Sequence, residues 1–165
     1  MLTKGATQGI AECEHALALD RNLADAHYSL GFGKLLLGRA EETEAHILEA
    51  LRLSPCDTRA YVWMHLAGHA KDHIGSYEQA VSWFRRAIDA NRNYPLPHFE
   101  LAAALVRLGR IDEARSAVKA GLALNPDFTI ARIRAAWAII SEDPTYVADH
   151  ERIFEALRKA GVPDE

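Results

Sequence analysis

Residues 101–126 read LAAALVRLGRIDEARSAVKAGLALNP. An apolar stretch with a small residue at Leu101-Ala102 stops at Gly109; a second carries Ala114 and Gly121-Leu122 and stops at Pro126. The same marks stand upstream at the same offsets: Leu30-Gly31, Gly38, Ala50-Leu51 and Pro55. A middle copy keeps Gly75, Tyr77, Ala80, Phe84 and Ala87-Ile88 and carries three extra residues. The chain therefore repeats about every 34 residues, in units 24–57, 58–94 and 95–128. A recurring supersecondary unit of this size cannot close a core alone and buries its apolar face by stacking on its copies. Stacks of this kind bind other molecules rather than transform them.

Within each unit the apolar spacing has helical period, broken twice by turn signals. In the first, Ala26, Leu30, Gly33 and Leu37 recur at helical intervals, and Gly38-Arg39 stops the helix as a glycine past a C-terminus does. A second helix follows, with Ala45, Ile47, Leu48 and Leu51 on one side and Glu41, Glu42, Glu44 and Glu49 on the other. Acidic residues crowd its first turn, where the helix dipole favours them. The third unit gives helices near 97–108 and 111–124, with Asn125-Pro126-Asp127 as the breaker. No window alternates with strand period, so the expected fold is all-α. Gly31, Ala80, Ala102 and Ala114 are small where paired helices must approach closely.

The flanks differ. Residues 1–23 read as the second helix of a unit whose first helix is missing, with Ile10, Ala11, Cys13, Ala16, Leu17 and Leu19 apolar. Such a start exposes an apolar face, which suggests a fragment of a longer protein or a face covered by a partner or a second copy. At the other end, residues 129–165 form a degenerate helix pair acting as a cap. Asp143-Pro144 is a start signal for the last helix. That helix is expected to bury Val147, Ile153, Phe154 and Leu157, and to present Asp149, Glu151, Arg152, Glu155, Arg158 and Lys159 to water.

Bulk properties remove several function classes. A formal net charge of −4 argues against non-specific binding to nucleic acid or anionic membrane, which needs a basic surface. No run approaches the roughly 18–20 apolar residues of a membrane span, and the N-terminus lacks the basic-then-apolar order of a secretory signal. Cys13 and Cys56 are far apart and form no metal or redox spacing, so they are expected as reduced thiols in a cytoplasmic protein. Gly31-Phe32-Gly33-Lys34 lies inside a helical pattern without a preceding strand, so it is no phosphate loop. No serine or cysteine stands in a nucleophile context. The expectation is no enzyme and no cofactor.

The repeat resembles the tetratricopeptide repeat. Its signature positions fall on Leu30, Gly31, Ile47, Ala50 and Pro55; on Tyr61, Met64, Tyr77, Ala80, Phe84 and Ala87; and on Leu101, Ala102, Leu105, Gly109, Ala114, Gly121 and Pro126. Thr43 and His65 stand where a small residue is usual, and Arg92 replaces the closing proline of the middle copy. The resemblance implies an α-α superhelix, a right-handed solenoid of about nine helices. The runs Ala16–Asp20, Leu35–Arg39 and Leu157–Pro163 further resemble C-terminal repeat regions of bacterial multidomain regulators of the class III cyclase or winged-helix type. That resemblance implies an accessory interaction region of a larger signalling protein.

Tetratricopeptide repeats expose the first helix of each pair on a concave groove. Carried over position by position, the groove shows Asp25, Tyr28, Ser29 and Phe32; Arg59, Val62, Trp63 and Leu66; Phe99, Glu100, Ala103 and Arg107; then Arg134 and Trp137. The aromatic set Tyr28, Phe32, Trp63, Phe99 and Trp137 could hold a peptide, since aromatics bring contact area with little entropy loss. The expected partner is a protein or peptide, with self-association through the N-terminal half repeat as the alternative. The positions that form a basic carboxylate clamp in some relatives hold Tyr28, Phe32, Trp63, Leu96 and Glu100, so that mode is excluded. His65, His69 and His73 are spaced i, i+4, i+8, with Asp72 beside them. Neighbours one turn apart can chelate zinc, copper or nickel, which gives a metal-binding sensor as a further alternative. Three in line span about 12 Å, however, and no matching carboxylate or cysteine cluster can be placed opposite them from sequence.

Overall fold

The structure, a computed structural model, describes residues 2–165. Met1, the first residue of the expected half repeat, lies outside them. Nine α-helices and no strand occur among the described residues: α1 Leu2–Leu19, α2 Ala24–Leu36, α3 Thr43–Leu53, α4 Ala60–His73, α5 Tyr77–Ala90, α6 Leu96–Arg107, α7 Ile111–Leu124, α8 Ile130–Ala138 and α9 Pro144–Ala160. A single 3-10 turn, Ala40–Glu42, leads into α3. The acidic cluster read as the start of the second helix thus falls partly on this tighter turn. No described helix is long and apolar enough to cross a membrane.

The hairpins α2–α3, α4–α5 and α6–α7 turn alike because each first helix ends on a left-handed glycine. Gly38, Gly75 and Gly109 have φ of 71°, 76° and 75°. After each, the next N–H bonds back five residues: Arg39 to the Lys34 carbonyl, Ser76 to Lys71, and Arg110 to Leu105, at 2.9, 2.8 and 2.9 Å. This satisfies carbonyls that a helix end otherwise leaves unpaired.

Helices within each hairpin pack on one another, and the hairpins stack through α3–α4 and α5–α6. The close approaches rest on small residues: Ala80, Ala102 and Ala114 are fully buried. A Cβ at Gly68 would meet the Phe84 ring at 2.6 Å, and one at Gly121 would meet Phe99 at 2.8 Å. Thr43, the departure from the small-residue pattern, is also fully buried, and its Oγ1 donates to the Gly31 carbonyl at 3.0 Å. A hydroxyl fits there because the partner glycine leaves its carbonyl within reach.

The C-terminal pair does not continue the stack as a plain hairpin. α9 packs chiefly on α6, and only lightly on α7 and α8. Its start is fixed at the end of α2: Ser141 Oγ donates to the Leu36 carbonyl at 2.6 Å and accepts from Asp143 N–H at 3.1 Å. Asp143 Oδ1 caps α9, accepting from the N–H groups of Thr145 and Tyr146 at 2.9 and 3.0 Å. The tail beyond α9 covers the start of α8, where Ile130 and Ala131 donate to the Pro163 and Asp164 carbonyls, each at 2.9 Å.

This path divides the core into two clusters that α9 joins. Tyr146 packs with Leu35, Ala40, Ile47, Trp63 and Leu66. Ile153, Phe154, Leu157 and Ala160 pack with Phe84, Ala104 and Leu105. The expected division of α9 into apolar and wet faces needs two corrections. Val147 is 46% exposed, and Asp149, expected in water, is buried at 6%. The reason is a rotation of the buried stripe toward Tyr146 and His150, which face α4.

Candidate functional site

The first helices α2, α4 and α6 share an inner face, expected to be open along its length. It is open only in part, because α8 and α9 of the same chain lie against it. What remains is a cavity of about 230 Å³. Its walls are Tyr28 and Phe32 from α2, Val62 and Leu66 from α4, Leu96 at the start of α6, and Trp137 and Ile140 from the C-terminal segment. His65, His69 and Glu100 supply its polar side. Tyr28 stacks on Phe32 and on Trp63, each at 6.4 Å between ring centroids.

The expected groove residues therefore divide. Tyr28, Phe32, Val62, Leu66, Glu100 and Trp137 come together at the cavity. Trp63 and Phe99 are each 1% exposed and are interior residues, which corrects their reading as peptide contacts. Phe99 turns toward α7, against Gly121, and stacks on Phe128 at 3.6 Å. Ala103 is fully buried in the core. The three arginines are engaged elsewhere. Arg59 forms a two-pronged exposed pair with Asp25 at 2.6 and 2.7 Å. Arg107 pairs with buried Asp72 and lies over the Tyr77 ring. Arg134 pairs with Glu151 at 2.7 Å and lies over Phe154. Ser29 is exposed.

The histidine row does face partners, contrary to expectation: Glu100 comes from α6, and Asp149 and His150 from α9. His69 Nδ1 is 2.7 Å from Glu100 Oε2, and His65 Nε2 is 3.1 Å from Glu100 Oε1 without the alignment of a hydrogen bond. His65 Nδ1 meets the Tyr94 hydroxyl at 3.0 Å. His73 Nδ1 is 3.3 Å from Asp149 Oδ2, and His150 Nδ1 donates to the Tyr146 carbonyl at 2.9 Å. Trp137 stands edge-on to His150 at 4.2 Å.

Burial pushes the Glu100 carboxyl up, but the imidazoles of His69 and His65 outweigh it and hold the group well below the carboxylate range. Burial disfavours charge on His69; Glu100 overcomes that and raises it. His73 is pushed down to about 4 and His150 to about 2, both chiefly by burial, so both rings are neutral at neutral pH. None of this was legible locally. His150 lies 77 residues or more beyond the row and stands at no motif spacing from it.

Residues 75–146 match the family model described as tetratricopeptide repeat. Solved structures agree on the fold. The chain superposes on the crystal structure of MamA with a TM-score of 0.67, at 20% identity over 92% of this chain and 85% of that one. It superposes on YrrB, described as a TPR protein with an unusual peptide-binding site, with a TM-score of 0.64, at 20% identity over 93% and 78%. PcrH from Pseudomonas aeruginosa gives 0.57, at 21% identity over 82% and 91%. No curated protein matches the sequence. Residues 75–146 thus carry the tetratricopeptide-repeat pattern, and the fold of the chain is an all-α solenoid of helix hairpins like that of these structures.

Proposed function

We propose that the protein is a non-catalytic interaction scaffold that captures a peptide or a segment of a neighbouring protein at the cavity between α2, α4 and the α8–α9 segment. The carrying observation is the convergence there of half-buried Tyr28, Phe32, Val62 and Trp137 around an apolar hollow. Its volume, about 230 Å³, is below the roughly 300–1,000 Å³ of small-molecule sites. It suits one or two apolar side chains of a longer ligand, whose remainder would run along the exposed surface of α2. The description of YrrB as having a peptide-binding site supports the reading by analogy of fold alone.

Selection of a displayed peptide library against the full chain tests it. Enriched peptides should share an apolar anchor and lose about tenfold or more in affinity with Phe32→Ala, the size expected of a buried aromatic contact. Failure to enrich any sequence, or binding indifferent to Phe32 and Val62, would defeat the proposal. A second reading, self-association, is favoured by one observation: Leu19, at the end of α1, and Leu23, just before α2, are 79% and 39% exposed. Light scattering separates the two, since a dimer abolished by Leu19→Asp supports assembly and a monomer that binds peptide supports capture. The resemblance to C-terminal regions of bacterial regulators supports a place as the accessory part of such a protein, which the sequence encoded upstream would test.

A further inference from the structure

We propose that His69, His73 and His150 form a site for a divalent transition-metal ion of the zinc type, bound through their Nε2 atoms between α4 and α9. One ring nitrogen of each lies within 4.8 Å of the other two. The ring centroids stand 4.6, 5.0 and 5.0 Å apart, a near-equilateral triangle. The row along α4 supplies only two of the three; the third crosses from α9, which removes the difficulty of three histidines strung along one axis.

The hydrogen bonds fix which nitrogen is free. Each Nδ1 is already engaged: in His69 by Glu100, in His73 by Asp149, and in His150 by the Tyr146 carbonyl. In neutral His73 and His150 a proton on Nδ1 leaves the lone pair on Nε2, while in His69 metal binding would displace the proton on Nε2; all three Nε2 atoms are buried without a hydrogen-bond partner. Three buried ring nitrogens left without a partner in one cluster are costly, and one cation would satisfy them together. Metal-bound imidazoles characteristically donate their other N–H to a carboxylate or carbonyl, which orients the ring and raises its basicity. Here all three do.

Charge and access agree. Glu100 and Asp149, both buried, would balance a dication. In a tetrahedral zinc site the nitrogens lie at about 2.0–2.1 Å from the ion, hence about 3.4 Å from each other. From a present spacing within 4.8 Å, the rings would have to close by up to about 1.4 Å to reach it. A cavity of about 220 Å³ lined by Trp137, Tyr146 and His150 adjoins the His150 side of the site. Three histidines leave a fourth position for water or a partner's side chain.

The test is titration of the full chain, free of any affinity tag and stripped with chelator, with zinc chloride, and with cobalt(II) as a spectroscopic stand-in. The expected result is one zinc per chain, tetrahedral visible absorption from cobalt, and an affinity reduced at least about tenfold in His150→Gln and in His73→Gln. His65→Gln should leave the affinity unchanged. Circular dichroism reports whether each variant keeps its helices. If a ligand variant unfolds, Asp149→Asn decides, since it keeps all three ligands and should weaken zinc about 10–100-fold. Substoichiometric zinc, or equal affinity in His150→Gln, overturns the proposal. So does loss in His65→Gln with retention in His150→Gln, which would place the ion beside Glu100 instead.

Discussion

A methyl group added at Gly68 would stand 2.6 Å from the Phe84 ring, and that ring is fully buried with nowhere to move. Alanine in a helix interior normally gains roughly 0.5–1 kcal/mol over glycine. Overpacking a close contact costs about 1–3 kcal/mol, so the clash wins. Gly68→Ala is expected to lower the thermal midpoint. Gly109→Ala should also destabilise, by about 1–2 kcal/mol, for a different reason: nothing lies within 4 Å of its Cβ, but its φ of 75° is left-handed. Serine at Gly109 should cost the same as alanine. At Gly68 serine should cost more than alanine, because there the obstacle is volume. Denaturation of the four variants separates backbone strain from crowding.

Among the ion pairs that join successive repeats, two differ sharply in burial. Arg59 and Asp25 tie α4 to α2 in the open, with side chains 56% and 63% exposed. Arg107 and Asp72 tie α6 to α4 with side chains 13% and 3% exposed. An exposed pair contributes little and is screened by salt. Removing one member of a buried pair strands the other charge, at a cost of about 3–5 kcal/mol. Burial already raises the Asp72 carboxyl, against the opposing pull of Arg107. Arg107→Met should therefore destabilise severely in chemical denaturation, whereas Asp25→Asn should be nearly silent. Equal effects would mean that Asp72 is reached by water.

Over the whole molecule, stability should grade along the solenoid. α1 packs chiefly on α2, with Ile10 seated over Gly33. α4 and α6, by contrast, are enclosed by neighbours before and after them and by α9. Repeat arrays are held by nearest-neighbour interfaces, and elements with few buried contacts open first. Hydrogen exchange is expected to be fastest in α1 and slowest in α4 and α6. α9 should exchange with the slow group, because Tyr146 and Phe154 lock it into both core clusters. Rapid exchange throughout α9 would show it to be a loose flap over the inner face.

The period of about 34 residues fixed the helices, the hairpin turns and their order, because these depend on neighbours in sequence. Glycine at the left-handed turns, alanine at the close contacts and Asp143-Pro144 at a helix start are local requirements that can be read one at a time. The inner face was legible in part: transfer of the tetratricopeptide pattern, position by position, named Tyr28, Phe32, Val62 and Trp137, which line the cavity. Trp63 and Phe99, carried over in the same way, are interior, since a shared pattern gives the side a residue leans to and not what stands beside it. Only the tertiary structure brought α9 across the repeats, buried Asp149, and set His150 against His69 and His73. Contacts between residues nearly 80 positions apart follow from how the last helix docks, and docking is decided by the summed fit of two surfaces, which no short stretch of sequence encodes.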